Sequence, residues 1–166
     1  VPVPAVVPPA YPRKTVSALM VVLVAFHLLV PLRHWYFPGD VAWTEEGHRY
    51  AWRMMLRSKR GYGFFTVKNP VSGETENVSP KDYLTERQVE KLLTHPDMIW
   101  QFSQYLRKEW EKKGVAGAEV YATVRASLNG RNTQSFVDPN INLAGEQWHF
   151  LSASAWIVPL ENGEEE

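Results

Sequence analysis

The densest chemistry in the chain lies in one block, Trp43-Thr44-Glu45-Glu46-Gly47-His48-Arg49-Tyr50-Ala51-Trp52-Arg53-Met54-Met55-Leu56-Arg57. Arg49, Arg53 and Arg57, with Lys59 and Arg60 following, set five positive charges against Glu45 and Glu46. Grouped guanidinium groups hold carboxylates and phosphates by charge-assisted hydrogen bonds, so the chemistry on offer is the binding of an acidic substrate or an anionic lipid head group. A solvated helix face laced with Glu–Arg pairs uses the same residues and does no more than dissolve. Aromatic and sulfur side chains interleave with the charges. Trp43, Tyr50, Trp52, Met54 and Met55 suit a pocket for a large apolar ligand such as a quinone, or a packed core. Two tryptophans, two methionines, and the arginines and histidine between them cannot all be buried in one direction from a single short helix.

Other chemistries are absent from the sequence. There is no Gly-rich phosphate loop, no His-x-x-x-His pair and no Gly-x-Ser-x-Gly elbow. His34, His48, His95 and His149 lie far apart without ligand spacing, so no metal site is expected. With no Cys, disulfides, thiolate metal sites and cysteine nucleophiles are excluded together. Asn77-Val78-Ser79 matches a glycosylation sequon, but Pro80 follows and the motif is common by chance. The 18 Lys and Arg balance the 18 Asp and Glu, and a pI near 7.1 argues against a nucleic-acid partner, whose phosphates call for a basic face.

The elements that must position the block follow from periodicity. Pro38-Gly39-Asp40 forms a turn, and the spacing after it predicts a helix over 43–57, capped by Thr44, with Glu45 and Glu46 in its first turn. Such a helix aligns Glu45, Arg49, Arg53 and Arg57 in one stripe and His48, Trp52, Met55 and Leu56 in another. Upstream, Val16 to Leu32 is apolar apart from Ser17, His27 and Pro31, and carries no formal charge. Arg13 and Lys14 precede this run and Arg33-His34-Trp35-Tyr36-Phe37 follow it, a basic edge and an aromatic belt that favour a membrane helix. A helix buried in a soluble domain is the first alternative. A signal sequence is the second, and it lacks a small-residue cleavage site. His27 reads as a neutral imidazole bonded to a neighbouring helix.

The rest of the chain, 166 residues in all, suits one α+β domain. Tyr62–Lys68 and Thr75–Val78 flank a turn at Asn69-Pro70-Val71-Ser72-Gly73 and should pair. Thr85-Glu86-Arg87-Gln88 is a capping box opening a helix through Leu93. Asp97 caps a longer helix with Met98, Ile99, Phe102, Leu106 and Trp110 on its apolar face, ended by Gly114. Glu119–Leu128 alternates as a strand, and Asn129-Gly130 turns the chain into a return strand over Arg131–Val137. The expected organisation is a Pro-rich linker over 1–13, carrying Pro2, Pro4, Pro8, Pro9 and Pro12, and a transmembrane helix over 14–36. An extracytoplasmic domain over 37–160 and an acidic tail over 161–166 complete it. The domain is expected to be antiparallel and β-sandwich-like, with two or three helices. Val1, in place of a starting Met, suggests a chain excised from a longer protein.

The run Leu28-Leu29-Val30-Pro31-Leu32-Arg33-His34-Trp35-Tyr36-Phe37-Pro38-Gly39-Asp40, followed by the Trp43–Arg57 block, resembles the membrane-exit segment of the vitamin K-dependent gamma-carboxylase family, especially its bacterial HTTM-domain relatives. The similarity continues through Asp82-Tyr83-Leu84-Thr85, His95-Pro96-Asp97-Met98, Ser127-Leu128-Asn129-Gly130-Arg131, Phe136-Val137-Asp138-Pro139 and Trp156-Ile157-Val158-Pro159. It implies the C-terminal part of a polytopic protein of the bacterial cytoplasmic membrane, comprising its last transmembrane helix and the extracytoplasmic, lumenal-type domain. Family enzymes oxidise a reduced vitamin K-type quinol with O2, use the strong base so formed to abstract a glutamyl γ-proton, and add CO2 to the carbanion. The catalytic lysine of the family lies upstream and no residue here matches it, so the resemblance implies a fragment inactive alone, with the quinol bound mainly by the missing portion.

The implied partners are the lipid bilayer, the upstream transmembrane helices and a glutamate-containing protein substrate. The block corresponds to a family segment near the glutamyl site, which makes Trp43, Trp52 and Met54 the carried-over candidates. With the charged residues between them, the expected substrate-binding set is Trp43, His48, Arg49, Trp52, Arg53, Met54 and Arg57, with no catalytic residue and no metal ligand. Animal carboxylases have an apolar residue near Gly47 and a histidine at the position of Arg57, departures that bear on glutamyl recognition. A membrane-anchored binding module without catalysis is the second reading, and a soluble single-domain enzyme the third.

Overall fold

The structure, a computed structural model, describes residues 12–53 and 57–161. Helix α1 spans Arg13–Leu29 and passes into a 3-10 segment, Val30–Tyr36. Pro31 explains the change, because it has no N–H to continue the α ladder and its ring crowds the preceding turn. Together Arg13–Tyr36 form 24 residues with a mean hydropathy of 2.3 in the most apolar stretch, long and apolar enough to cross a membrane. Almost none of that stretch is covered by the rest of the chain. His27 Nδ1 lies 2.8 Å from the Leu23 carbonyl of its own helix.

Four strands form one antiparallel sheet: β1 (Lys59–Lys68), β2 (Thr75–Val78), β3 (Glu119–Leu128) and β4 (Gln134–Ser135), in the order β2-β1-β3-β4. The two expected hairpins therefore share a sheet. β1 starts three residues earlier than Tyr62 because it pairs with the full length of β3, from Lys59 opposite Leu128 to Lys68 opposite Glu119. Ser58 and Asn129 extend this pairing, the Ser58 N–H donating to Asn129 Oδ1 at 2.7 Å. Asn129 and Gly130 both take positive φ, as a tight hairpin turn requires. The return strand is shorter than expected: it pairs with β3 only at Gln134 and Ser135, after which the Phe136 N–H donates to the Val124 carbonyl at 2.9 Å and Val137 bridges to Ile157.

The inward residues of the long strands, Phe65, Val67, Val120, Ala122, Val124, Ala126 and Leu128, are buried. Their second layer is α3 (Glu86–Leu92) and α4 (Pro96–Lys112), together with the irregular segment 136–160, which contributes Phe136, Leu143 and Trp156. The capping box of Thr85 and Gln88 forms as expected. Pro96, rather than Asp97, opens α4, as befits a residue whose missing N–H has no helical partner at that position. Gly61 permits close approach, since a Cβ there would lie 2.1 Å from the Leu93 carbonyl oxygen.

Candidate functional site

Among the described residues, the expected helix over 43–57 does not continue beyond Thr44. Helix α2 is only Val41–Thr44, its cap is Asp40, which accepts from the Ala42 N–H at 2.8 Å, and Glu45 ends it in the left-handed conformation. Gly47 and Tyr50 also take positive φ, so the chain winds back on itself. Packing sets this path. Gly47 lies flat against the membrane-exit segment, where a Cβ would come within 2.7 Å of the Phe37 ring and 2.8 Å of His34 Cα. A continuous helix has no single apolar face in this stretch, whereas the wound path sends Trp43 into the core and Glu46 to the Ser154 N–H, 2.7 Å away.

The turn lines an open-mouthed cavity of about 540 Å³ together with the 3-10 segment, the start of α4 and the 148–150 loop. Its aromatic walls are Phe37, Trp100, Trp148 and Phe150. Glu45 is the hub of its charged wall. One carboxylate oxygen lies 3.3 Å from Arg57 Nη2 and 3.7 Å from His95 Nε2, and the other lies 3.6 Å from Lys59 Nζ. Burial raises the Glu45 pKa, opposed by Lys59, His95 and Arg57. Lys59 sits behind Glu45 with a side chain 3% exposed. Its ammonium donates to the Trp43 carbonyl and lies 3.8 Å from the Phe136 ring centre. Burial lowers the Lys59 pKa to about 8, with Glu45 pulling the other way. Burial also lowers the pKa of His48, helped by the charges of Arg57 and Arg53.

On the facing wall Arg33 stacks 3.9 Å over the Phe150 ring, and Arg49 pairs with Asp97. Among the described residues lining the cavity, Arg33 Nε and Nη1, Arg57 Nη1 and Glu45 Oε1 are buried without a hydrogen-bond partner. Leaving such groups unsatisfied costs about 1–3 kcal/mol each, and more when the group is charged. A ligand presenting acceptor oxygens would relieve that cost at the guanidinium nitrogens.

The sequence candidates separate in space. His48, Arg49 and Arg57 line the cavity. Trp43 is fully buried behind it, its indole N–H donating to the Val158 carbonyl at 2.7 Å and its ring meeting Phe136 edge to face at 4.9 Å. Trp52 is 73% exposed and outside the cavity. Arg53 lies in a separate shallow cleft of about 440 Å³ with His34, Trp35 and Asp40. Met54 lies outside the described residues. The expected stripe of Glu45, Arg49, Arg53 and Arg57 does not form: the fold pairs Glu45 with Arg57, turns Arg49 to Asp97 and leaves Arg53 in the separate cleft.

Arg33, Glu45, Lys59, His95 and Asp97 stand outside the expected substrate-binding set, because four separate places in the chain deliver them: the 3-10 segment, the end of α2, the start of β1 and the first turn of α4. His48, His95 and His149, scattered in the sequence, converge on the cavity, yet among the described residues no group of His, Asp or Glu side chains has the arrangement of a metal site. Compared with known proteins, the family model for the vitamin K-dependent gamma-carboxylase, lumenal domain, matches residues 12–163. No solved structure matches the chain.

Proposed function

The chain belongs to the vitamin K-dependent gamma-carboxylase lumenal-domain family, and from that premise we propose that it forms the substrate-facing extracytoplasmic domain of a membrane-embedded, quinol-oxidising, carboxylase-like enzyme. Family membership and a helix able to span a bilayer point to a membrane protein. The observation that supports the finer reading is the cavity at the end of that helix, where Arg33 and Arg57 offer buried guanidinium nitrogens without partners. A glutamyl carboxylate fits that demand in charge and in acceptor geometry.

The chain's own groups bind and orient; they do not supply the base. A hydrogen on the carbon beside a carboxylate is far less acidic than an imidazolium or a carboxylic acid, so neither His95 nor Glu45 is strong enough to remove it. The catalytic base is assigned to the upstream membrane portion. The reduced vitamin K-type quinol, used with O2 and CO2 as co-substrates, is assigned there too. The unpaired guanidinium nitrogens call for an anion, which a neutral quinol ring does not provide, so the cavity does not fit the quinol and no step here runs through it. The partners in this reading are the bilayer, the upstream helices and a glutamate-containing protein.

The test is made on the full-length parent in membranes, given a quinol, a glutamyl peptide and labelled bicarbonate. Quinol epoxide together with label in the peptide is expected, and Arg57→Gln should lower labelling more than epoxide formation. Epoxide without label points to an oxidase with a diverged substrate side. Neither product overturns the reading in favour of a binding module without catalysis.

A further inference from the structure

We propose that Lys59 is a positioning residue for the acidic ligand: it neutralises Glu45 from behind and so leaves the Arg57 guanidinium free to bind a carboxylate in the cavity. The inference deepens the reading above and rests on it. Glu45 is an anion already present in the wall, 3.3 Å from Arg57. A ligand carboxylate entering the cavity competes with it for the same guanidinium. What tips the competition is the second cation on the far side of Glu45, held by the Trp43 carbonyl and the Phe136 ring, 3.6 Å from the other carboxylate oxygen. Lys59 does not line the cavity, so it acts only through Glu45.

With Lys59 charged, the trio of Glu45, Lys59 and Arg57 carries one net positive charge for the ligand to meet. With Lys59 neutral, Glu45 and Arg57 cancel and the attraction falls to what Arg33 supplies from the opposite wall. The groups facing Lys59 are Glu45, Arg57 and Asp40, and those facing Glu45 also include His95 and Asp97. His48 faces Arg57, Arg53 and His95. Burial lowers the pKa of His48, away from the alkaline side, where Lys59 has a pKa that burial sets at about 8. Ligand affinity should therefore fall as pH rises through that region.

The experiment titrates a glutamyl peptide into the full-length parent in lipid nanodiscs, from about pH 7 to about pH 10, a range spanning the lowered and ordinary lysine values. Wild type, Lys59→Met and Lys59→Arg are compared, each checked for folding by its thermal transition. Wild type should bind and weaken above pH 8. Lys59→Met should bind at least roughly tenfold more weakly at pH 7, with no alkaline fall. Lys59→Arg, which keeps its proton throughout, should bind at pH 7 and hold that affinity to the top of the range. If Lys59→Met fails to fold, Lys59→Arg carries the test through its pH profile. Lys59→Met binding like wild type, or Lys59→Arg keeping the alkaline fall, overturns the positioning role while the acidic-ligand reading survives. No binding by wild type at any pH sinks both.

Discussion

Gly47 is where the globular domain rests on the membrane-exit segment, and replacing it with alanine measures that contact. Two costs add. The first is the left-handed backbone at φ +68, which charges any residue with a Cβ about 1–2 kcal/mol. The second is steric, since the new methyl would lie 2.7 Å from the Phe37 ring and 2.8 Å from His34 Cα, neither of them the free end of a flexible chain. Overpacking of this kind costs about 1–3 kcal/mol. Gly73 separates the two terms, because it has φ +75 and nothing within 4 Å of where its Cβ would be. Gly73→Ala should cost about 1–2 kcal/mol and Gly47→Ala about 2–5 kcal/mol, measured as shifts in urea midpoint at constant slope for the chain in nanodiscs. The difference is the energy of seating the turn on the exit segment. Since Phe37 and Gly47 both line the cavity, Gly47→Ala should also weaken glutamyl-peptide binding where Gly73→Ala does not. Equal losses of stability for the two substitutions would refute the packing argument and leave only backbone strain.

Three further outcomes follow from the same geometry. Burial raises the pKa of Glu46, so the folded state holds its proton more tightly than the unfolded one. The stability this contributes is complete below the ordinary glutamate value of 4.5 and is lost as pH rises through the folded value. Glu46→Gln keeps an acceptor for the Ser154 N–H and should flatten that part of the curve of Tm against pH; an unchanged slope would count against the burial. Asp97→Asn should cost less than about 1 kcal/mol in a urea melt, because its partner Arg49 has a side chain 70% exposed, and a larger loss would give the pair a role the exposure does not predict. Trp43→Phe removes the indole N–H that serves the Val158 carbonyl and leaves a gap beside Lys59. It should cost about 2–4 kcal/mol by the same assay, and a cost below about 0.5 kcal/mol would mean the ring is not the keystone its burial suggests.

What could be read from the sequence was what local chemistry decides. The alternation of Val120, Ala122, Val124, Ala126 and Leu128, the capping box at Thr85 and the apolar run before Arg33 each encode their element in neighbouring residues. The turn after Thr44 has no such code. Glu45 and Tyr50 are not residues that advertise a left-handed backbone, and Gly47 owes its conformation to Phe37 and His34, which lie in another element. The charge block offered either an anion site or a solvated face of Glu–Arg pairs, and a helical reading paired Glu45 with Arg49, whereas the fold gives Glu45 to Arg57, Lys59 and His95 and gives Arg49 to Asp97.

Lys59 is the instructive case, because its signal was in the sequence and depended on one boundary. A strand begun at Tyr62 leaves Lys59 in a loop, where a lysine needs no explanation. Carried back three residues, the same alternation that turns Phe65 and Val67 inward turns Lys59 inward as well. An ammonium on the buried face of a sheet has to find a counter-charge or give up its proton. The nearby acids in the sequence are Asp40, Glu45 and Glu46, and Glu46 is spent on the Ser154 N–H while Asp40 caps α2. Glu45 is left as the direct partner of Lys59, and the charge balance of the cavity wall follows from where β1 begins.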